Sequence, residues 1–379
     1  MNPGTETPDA PMLDDSSALI AAPSASDAQD TAAEASNAQR GGSTRAVAQN
    51  EAREPIAKPA KHGQAASPNR NSLAQGIIFA LVGASLWGFS GSCAQFLFAR
   101  YDIDSMFITA VRMLGSGLLF LVLLQVTRPQ EMRAALHDRP TLRGLALFGI
   151  VGLFPSQITY VISVSYTNAG TATVLQALNI VFVMFATCVM LRRGPRLLEL
   201  AGFAMAMAAT VLIATHGDLS TLAIPLPGLV WGLVNALVVA FYLMYPKKLY
   251  ERWSSLTVIG LGMLFGGVGA WLIWGISAAS HIASKGAVPL IATFPTLGAA
   301  GWAVLGVIVV VGTLVAFGLY LHGVSIVGGM RGSLLGAIEP VSATVISALW
   351  LGTMFTWADW AGLFLMVATI FAVTLQKDE

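Results

Sequence analysis

Between Arg143 and Arg192 the chain carries no Asp, Glu, Lys or Arg. A membrane-crossing helix needs about 20 apolar residues at about 1.5 Å rise each. The run is therefore long enough for two crossings, Leu145–Tyr166 and Ala172–Leu191, joined by the small polar turn Thr167-Asn168-Ala169-Gly170-Thr171. Charge-free runs return at Trp253–Ser284 and Gly286–Met330, so the chain reads as polytopic. Only 11% of its residues are charged, against about 25% in a typical soluble domain. That is too little charge to cover a water-facing surface, and the mean hydropathy of +0.69 agrees. The lipid bilayer is the expected partner. Nucleic acid is not, because the basic residues are spread over short loops and form no patch.

Residues 1–70 belong to another physical class. They are rich in Ala, Ser, Pro, Gln and Asp and hold no Phe, Trp or Tyr. Such a segment buries too little apolar surface to offset its ordering entropy, so a disordered cytoplasmic tail is expected. It lacks the basic start and long apolar core of a signal peptide. Beyond it the hydropathy predicts ten spans, at roughly 74–99, 106–126, 143–165, 170–191, 197–215, 227–246, 254–279, 298–322, 330–351 and 356–375. The join of the eighth and ninth, at Gly323–Gly329, is the least marked. Cys93 and Cys188 fall inside spans and read as small buried residues, without disulfide or metal spacing. His216, His281 and His322 are scattered at span ends, so no metal is expected.

Lys and Arg in short loops mark the cytoplasmic side. The odd-numbered loops hold Arg100 and Lys285. The even-numbered loops hold Arg128, Arg133, Arg139 and Arg143, then Arg192, Arg193 and Arg196, then Lys247, Lys248 and Arg252; Arg331 opens the ninth span and Lys377 follows the tenth. Twelve against two places the even loops and both termini in the cytoplasm.

The halves look duplicated. A shift of 160 residues lays Tyr160-Val161-Ile162-Ser163-Val164-Ser165 on Tyr320-Leu321-His322-Gly323-Val324-Ser325, Asn179 on Glu339, Glu199 on Asp359 and Ala201-Gly202 on Ala361-Gly362. Five spans per copy is an odd number, so the second copy enters the membrane from the opposite side. Inverted pairs of this kind suit transport, because exchanging the conformations of two similar halves opens a central site to one side and then the other.

Several motifs together resemble the drug/metabolite transporter superfamily, in its EamA-type ten-helix form. Gly83-Ala84-Ser85-Leu86-Trp87-Gly88-Phe89-Ser90 is similar to its Trp-Gly-small element. Arg112 matches its arginine helix, Ile338-Glu339-Pro340-Val341 its Glu-Pro-Val element, and Leu351-Gly352 with Asp359-Trp360-Ala361-Gly362 the approach to its last helix. The chain departs from the pattern at Asn179-Ile180, where many members have proline, and at Thr353 and Arg192-Arg193, where a glutamate is common. The resemblance implies EamA-like repeats at 74–215 and 227–375. It also implies a cavity lined by helices 1, 3, 4, 6, 8 and 9, and a small-molecule substrate, commonly exported. Import of a sugar, nucleotide or amine, and a non-transporting sensor or scaffold, are the alternatives.

Glu339 is the sharpest candidate residue. A carboxylate within a span is expensive unless paired, hydrated or protonated. It could bind substrate and carry a proton between the two sides, making protons a candidate partner; or it could cap backbone amides at the break made by Pro340. Arg112 could bind a carboxylate or pair with an acid, but it reads rather as structural, near enough to its span end to snorkel to water. The substrate-binding candidates are Trp87, Ser90, Gln157, Tyr160, Gln176, Asn179, Asn235, Tyr242 and Glu339, polar and aromatic residues that helical spacing groups on shared faces. Interhelical hydrogen bonding is the plainer role for each. Gly115-Ser116-Gly117 superficially matches a nucleophile turn, but it sits in a regular apolar helix without a nearby histidine. Neither an enzyme nor a cofactor is expected, and the chain has no Gly-x-x-x-x-Gly-Lys-Ser/Thr run for ATP.

Overall fold

The computed structural model describes residues 70–285 and 294–374. The tail expected over 1–70 lies outside these residues save for its last member, as does Lys377. Among the described residues, nine helices are long and apolar enough to cross a bilayer: α1 (Ser72–Arg100), α2 (Ser105–Thr127), α3 (Arg139–Tyr166), α4 (Ala169–Met190), α5 (Leu197–Thr215), α6 (Leu226–Arg252), α7 (Ser255–Ser280), α8 (Ala299–Val327) and α9 (Arg331–Leu351). A shorter apolar helix, α10 (Trp357–Val373), completes a ten-helix membrane protein. The weakly marked join narrows to one residue, since helix runs to Val327, Gly328 turns the chain at φ +88°, a conformation glycine adopts without penalty, and the helix that leads into α9 begins at Gly329.

Side chains close the helix starts, whose first N–H groups have no partner inside the helix. Asp104 Oδ2 accepts from the amides of Met106 (3.0 Å) and Phe107 (3.2 Å) at the start of α2. Asn168 Oδ1 accepts from Thr171 N (2.8 Å) at α4. Glu199 Oε2 accepts from Arg196 N at α5, and Asp359 Oδ2 from Thr356 N at α10, both at 2.7 Å. Acceptors 199 and 359 and donors 196 and 356 each differ by 160.

The two halves are related contact by contact. In the α5–α10 crossing, Gly202 faces Val373 and Gly362 faces Ile213; adding 160 to 202 and 213 returns 362 and 373. In the α2–α7 crossing, Gly117 faces the backbone of Leu264 and Gly267 that of Leu114, an offset of 150 in both. A Cβ on any of these four glycines would come within 2.5–2.7 Å of its neighbour, so the crossings depend on their absence of a side chain. Reciprocal contacts of this kind mark a two-fold axis. The remaining pairings follow it: α1 packs on α8 and α9 as α6 packs on α3 and α4. With five helices in each half, the halves are inverted relative to one another.

The axis also relates four interruptions. A π-helical turn interrupts α3 at Phe148–Leu153 and α8 at Val310–Val315. The helix breaks at Leu178 in α4 (φ −58°, ψ −14°) and at Ala337 in α9 (φ −61°, ψ −11°). Such turns free backbone carbonyls that need partners inside a membrane. At the α8 turn Thr313 donates to Ile308 O (2.9 Å), and Ser116 of α2 donates to Val309 O (3.1 Å). Ser116, the serine of the apparent nucleophile motif, is thus committed to packing.

Candidate functional site

A cavity of two adjoining chambers, about 70 and 350 Å³, that share Trp87, Gln176, Val239, Tyr242 and Glu339 lies beside the α4 and α9 breaks. The small chamber adds Arg112, Ser156, Gln157, Tyr160 and Phe317; the large one adds Asn179, Tyr320 and Ser333 among others. Helices α1, α3, α4, α6, α8 and α9 supply most of this lining, with Arg112 from α2 and Ile370 from α10.

Seven of the nine candidate residues meet here. Gln176, two residues before the α4 break, donates through Nε2 to Glu339 Oε1 at 3.2 Å. Glu339 stands in the first turn after the α9 break, where the backbone path presents its carboxylate to α4. Asn179 holds the α4 break by donating to Gln176 O at 2.7 Å. Tyr160 meets the Thr173 hydroxyl at 3.1 Å, and its counterpart Tyr320 donates to Gly332 O at 3.1 Å. Trp87 packs against Phe317 and Tyr320 with ring centres 4.8 and 4.7 Å apart. Gln157 and Tyr242 complete the seven.

Ser90 and Asn235 stand apart from the cavity lining. Gly76 faces Ile326 as Gly228 faces Tyr166, so α1 maps onto α6 by a shift of 152 (76 to 228). That shift pairs Ser90 with Tyr242, and they pack on the equivalent glycines Gly312 and Gly152. The tyrosine reaches past its glycine into the cavity; the short serine ends against its own. Asn235 is fully buried, and its Nδ2 donates to Ser156 O (2.7 Å) and Thr159 Oγ1 (2.9 Å), fastening α6 to α3.

Arg112 does not snorkel. It is 6% exposed, lines the small chamber and donates through Nε to Thr313 Oγ1 at 3.0 Å. The guanidinium is within electrostatic reach of Glu339 and Tyr160. A buried charge needs partners, and the π-turn of α8 provides one. Sequence spacing shows Arg112 only as a cation within a span. Ser156, Val239, Phe317 and Tyr320 carry no sequence signal that separates them from ordinary core residues, except that Tyr320 repeats Tyr160.

The two ends of the cavity differ. The large chamber reaches Leu243 of α6 and Gly329 at the start of α9, near the basic loops. At the other end, Gln95 of α1 crosses to α9: its Nε2 donates to Thr353 Oγ1 (2.9 Å), and its Oε1 accepts from Ser347 Oγ (3.0 Å) and Ala169 N (2.9 Å). Phe96 stacks on Trp350 beside this node, with centroids 5.3 Å apart and planes 10° apart.

Comparison with known proteins agrees with this architecture. The model of the EamA-like transporter family matches residues 74–215 and 226–375. An uncharacterized inner membrane transporter of Salmonella typhimurium, YicL, is 32% identical over 306 residues, covering 81% of this chain and 97% of the relative. A crystal structure with 17% identity superposes with a TM-score of 0.52 over 81% of this chain and 98% of its own, a likeness of fold alone. With both halves matched by its model, the chain belongs to the EamA-like transporter family.

Proposed function

We propose that this transporter carries a small amphipathic metabolite, an amino acid or related compound, out across the inner membrane by alternating access. The observation that carries the reading is the union of Glu339 and Arg112 with amides, phenols and the Trp87 indole around one cavity between the two halves. A carboxylate and a guanidinium at two sites suit the two charged ends of a zwitterion, and the aromatic faces suit a flat apolar part. The even loops and both termini lie in the cytoplasm on this reading, and no catalytic step is involved. Glu339, facing the cavity, exchanges a proton as access alternates, which couples export to the proton gradient.

Counterflow in liposomes of purified protein tests the transport claim. A labelled amphipathic zwitterion from a broad metabolite panel is expected to accumulate against unlabelled solute inside. Silence across the panel would overturn transport and favour a sensor.

A further inference from the structure

The hydrogen-bonded node at one end of the cavity has a symmetric counterpart at the other end, and that counterpart is open. The α4-to-α9 shift of 160 pairs Ser347 with Thr187 and Trp350 with Met190. The α1-to-α6 shift of 152, which also relates Gly83 beside Ala316 O to Asn235 bound to Ser156 O, carries Gln95 onto Lys247 by number, just past a turn of α6 at Tyr245–Pro246. At the closed end these positions touch: Ser347 donates to Gln95, and Ser92 Oγ lies 3.1 Å from Ser347 Oγ. At the other end the same positions, Thr187, Met190 and Lys247, line a groove of about 1350 Å³ between α4 and α6. There the Thr187 hydroxyl turns back to Val183 O of its own helix at 2.8 Å.

One molecule thus holds the two halves of a two-fold fold in opposite states, latched at α1–α9 and parted at α4–α6. We propose that Gln95 is the latch of one gate, and that Lys247 closing on Thr187 is the latch of the other in the alternate conformation. The inference rests on the alternating-access reading and adds the residues that set its balance. The hydrogen bonds of Gln95 to Ser347 and Thr353 form only while α1 and α9 touch. Without the amide, the Ala169 N–H loses its side-chain acceptor in the closed form and the Ser347 hydroxyl keeps only Ser92, whereas both regain water when the gate opens. Removing Gln95 therefore favours opening at its own end, and removing the Lys247 ammonium disfavours closure at the other.

The test needs no known substrate. In a chain carrying Cys93→Ala and Cys188→Ala, Val239→Cys places a thiol in the shared lining of both chambers. Its labelling by a membrane-impermeant thiol reagent is measured on right-side-out and on inverted membranes. Gln95→Leu is expected to raise labelling from the Gln95 face about tenfold and to lower it from the Lys247 face; Lys247→Met is expected to do the reverse. If the parent labels from both faces and Gln95→Leu leaves the ratio unchanged, alternating access stands and the latch is wrong. If the parent never labels from the Gln95 face, even with counterflow solutes present, alternating access fails and the latch with it. Should Gln95→Leu fail to accumulate, the pair Ser92→Cys and Ser347→Cys replaces it. Oxidation of that pair should abolish labelling from the Gln95 face and reductant should restore it; labelling that survives complete cross-linking overturns the proposal.

Discussion

The first half of the molecule and the second share a backbone and differ in their chemistry. Both have a π-turn in the third helix, a break in the fourth and an acid capping the fifth. Yet the break carries Asn179 in one half and Glu339 in the other, and the cavity-facing helix carries Trp87 opposite Val239. Even the close contacts differ in kind. Gly83 meets the backbone of α8, whereas its equivalent on α6 is Asn235, whose side chain hydrogen-bonds the backbone of α3 instead. On the proposed alternating-access reading, a symmetric frame gives two exchangeable states of similar energy. On the same reading, asymmetric side chains give the central cavity a direction and a preferred solute.

The largest effect is expected where the chemistry differs most. Glu339→Gln makes that position an amide, as at Asn179, and should take pH-driven flux to background while counterflow persists. Full pH-driven flux in this variant would remove Glu339 from coupling. Next comes the packing asymmetry. Gly83→Ala would place a Cβ 2.5 Å from Tyr320 N and 2.7 Å from Ala316 O, a clash with backbone that should cost about 1–3 kcal/mol. Gly228→Ala first meets a threonine methyl and should cost less; equal melting shifts in detergent would deny the difference.

The capping acids come third. Glu199 adds to its cap a forked pair with Arg193, at 2.9 and 2.7 Å, whereas Asp359 adds a 3.5 Å contact with His216. Glu199→Ala should therefore cost about 2 kcal/mol and Asp359→Ala about 1, read by thermal unfolding. The smallest effect concerns Glu131, in the short helix Pro129–His137. Partial burial pushes its carboxyl up, but hydrogen bonds from Ser254 and Thr257, with Arg128 alongside, outweigh that and hold it below the usual range. Its contribution to stability is present above about pH 4.3, the ordinary glutamate value, and is lost as pH falls through the lower folded value. Glu131→Gln should flatten that acid limb, and an unchanged pH profile would show the tie to α7 to be negligible.

The ten helices were legible because lipid imposes a simple rule, length and apolarity, that a linear sequence displays. The duplication was legible too, since Ala201-Gly202 and Ala361-Gly362 lie in the α5–α10 crossing that glycine makes possible. Glu339 could be found because a carboxylate is conspicuous in a span. Ser90 and Asn235 could not be separated from the true cavity residues, because polar groups facing a neighbouring helix and polar groups facing a cavity obey the same helical spacing. Arg112 was visible as a charge, but its burial depended on the Thr313 hydroxyl of a π-turn in a distant helix.

By itself, then, the sequence determined the membrane class, the number of spans and the inverted repeat, all properties of hydropathy and period along one dimension. Only the tertiary structure decided which side chains share the cavity, which end of it is shut and which residue pairs correspond across the axis. Those depend on distances between helices far apart in the chain, set by where glycines let backbones meet and where broken helices leave polar atoms in need of partners.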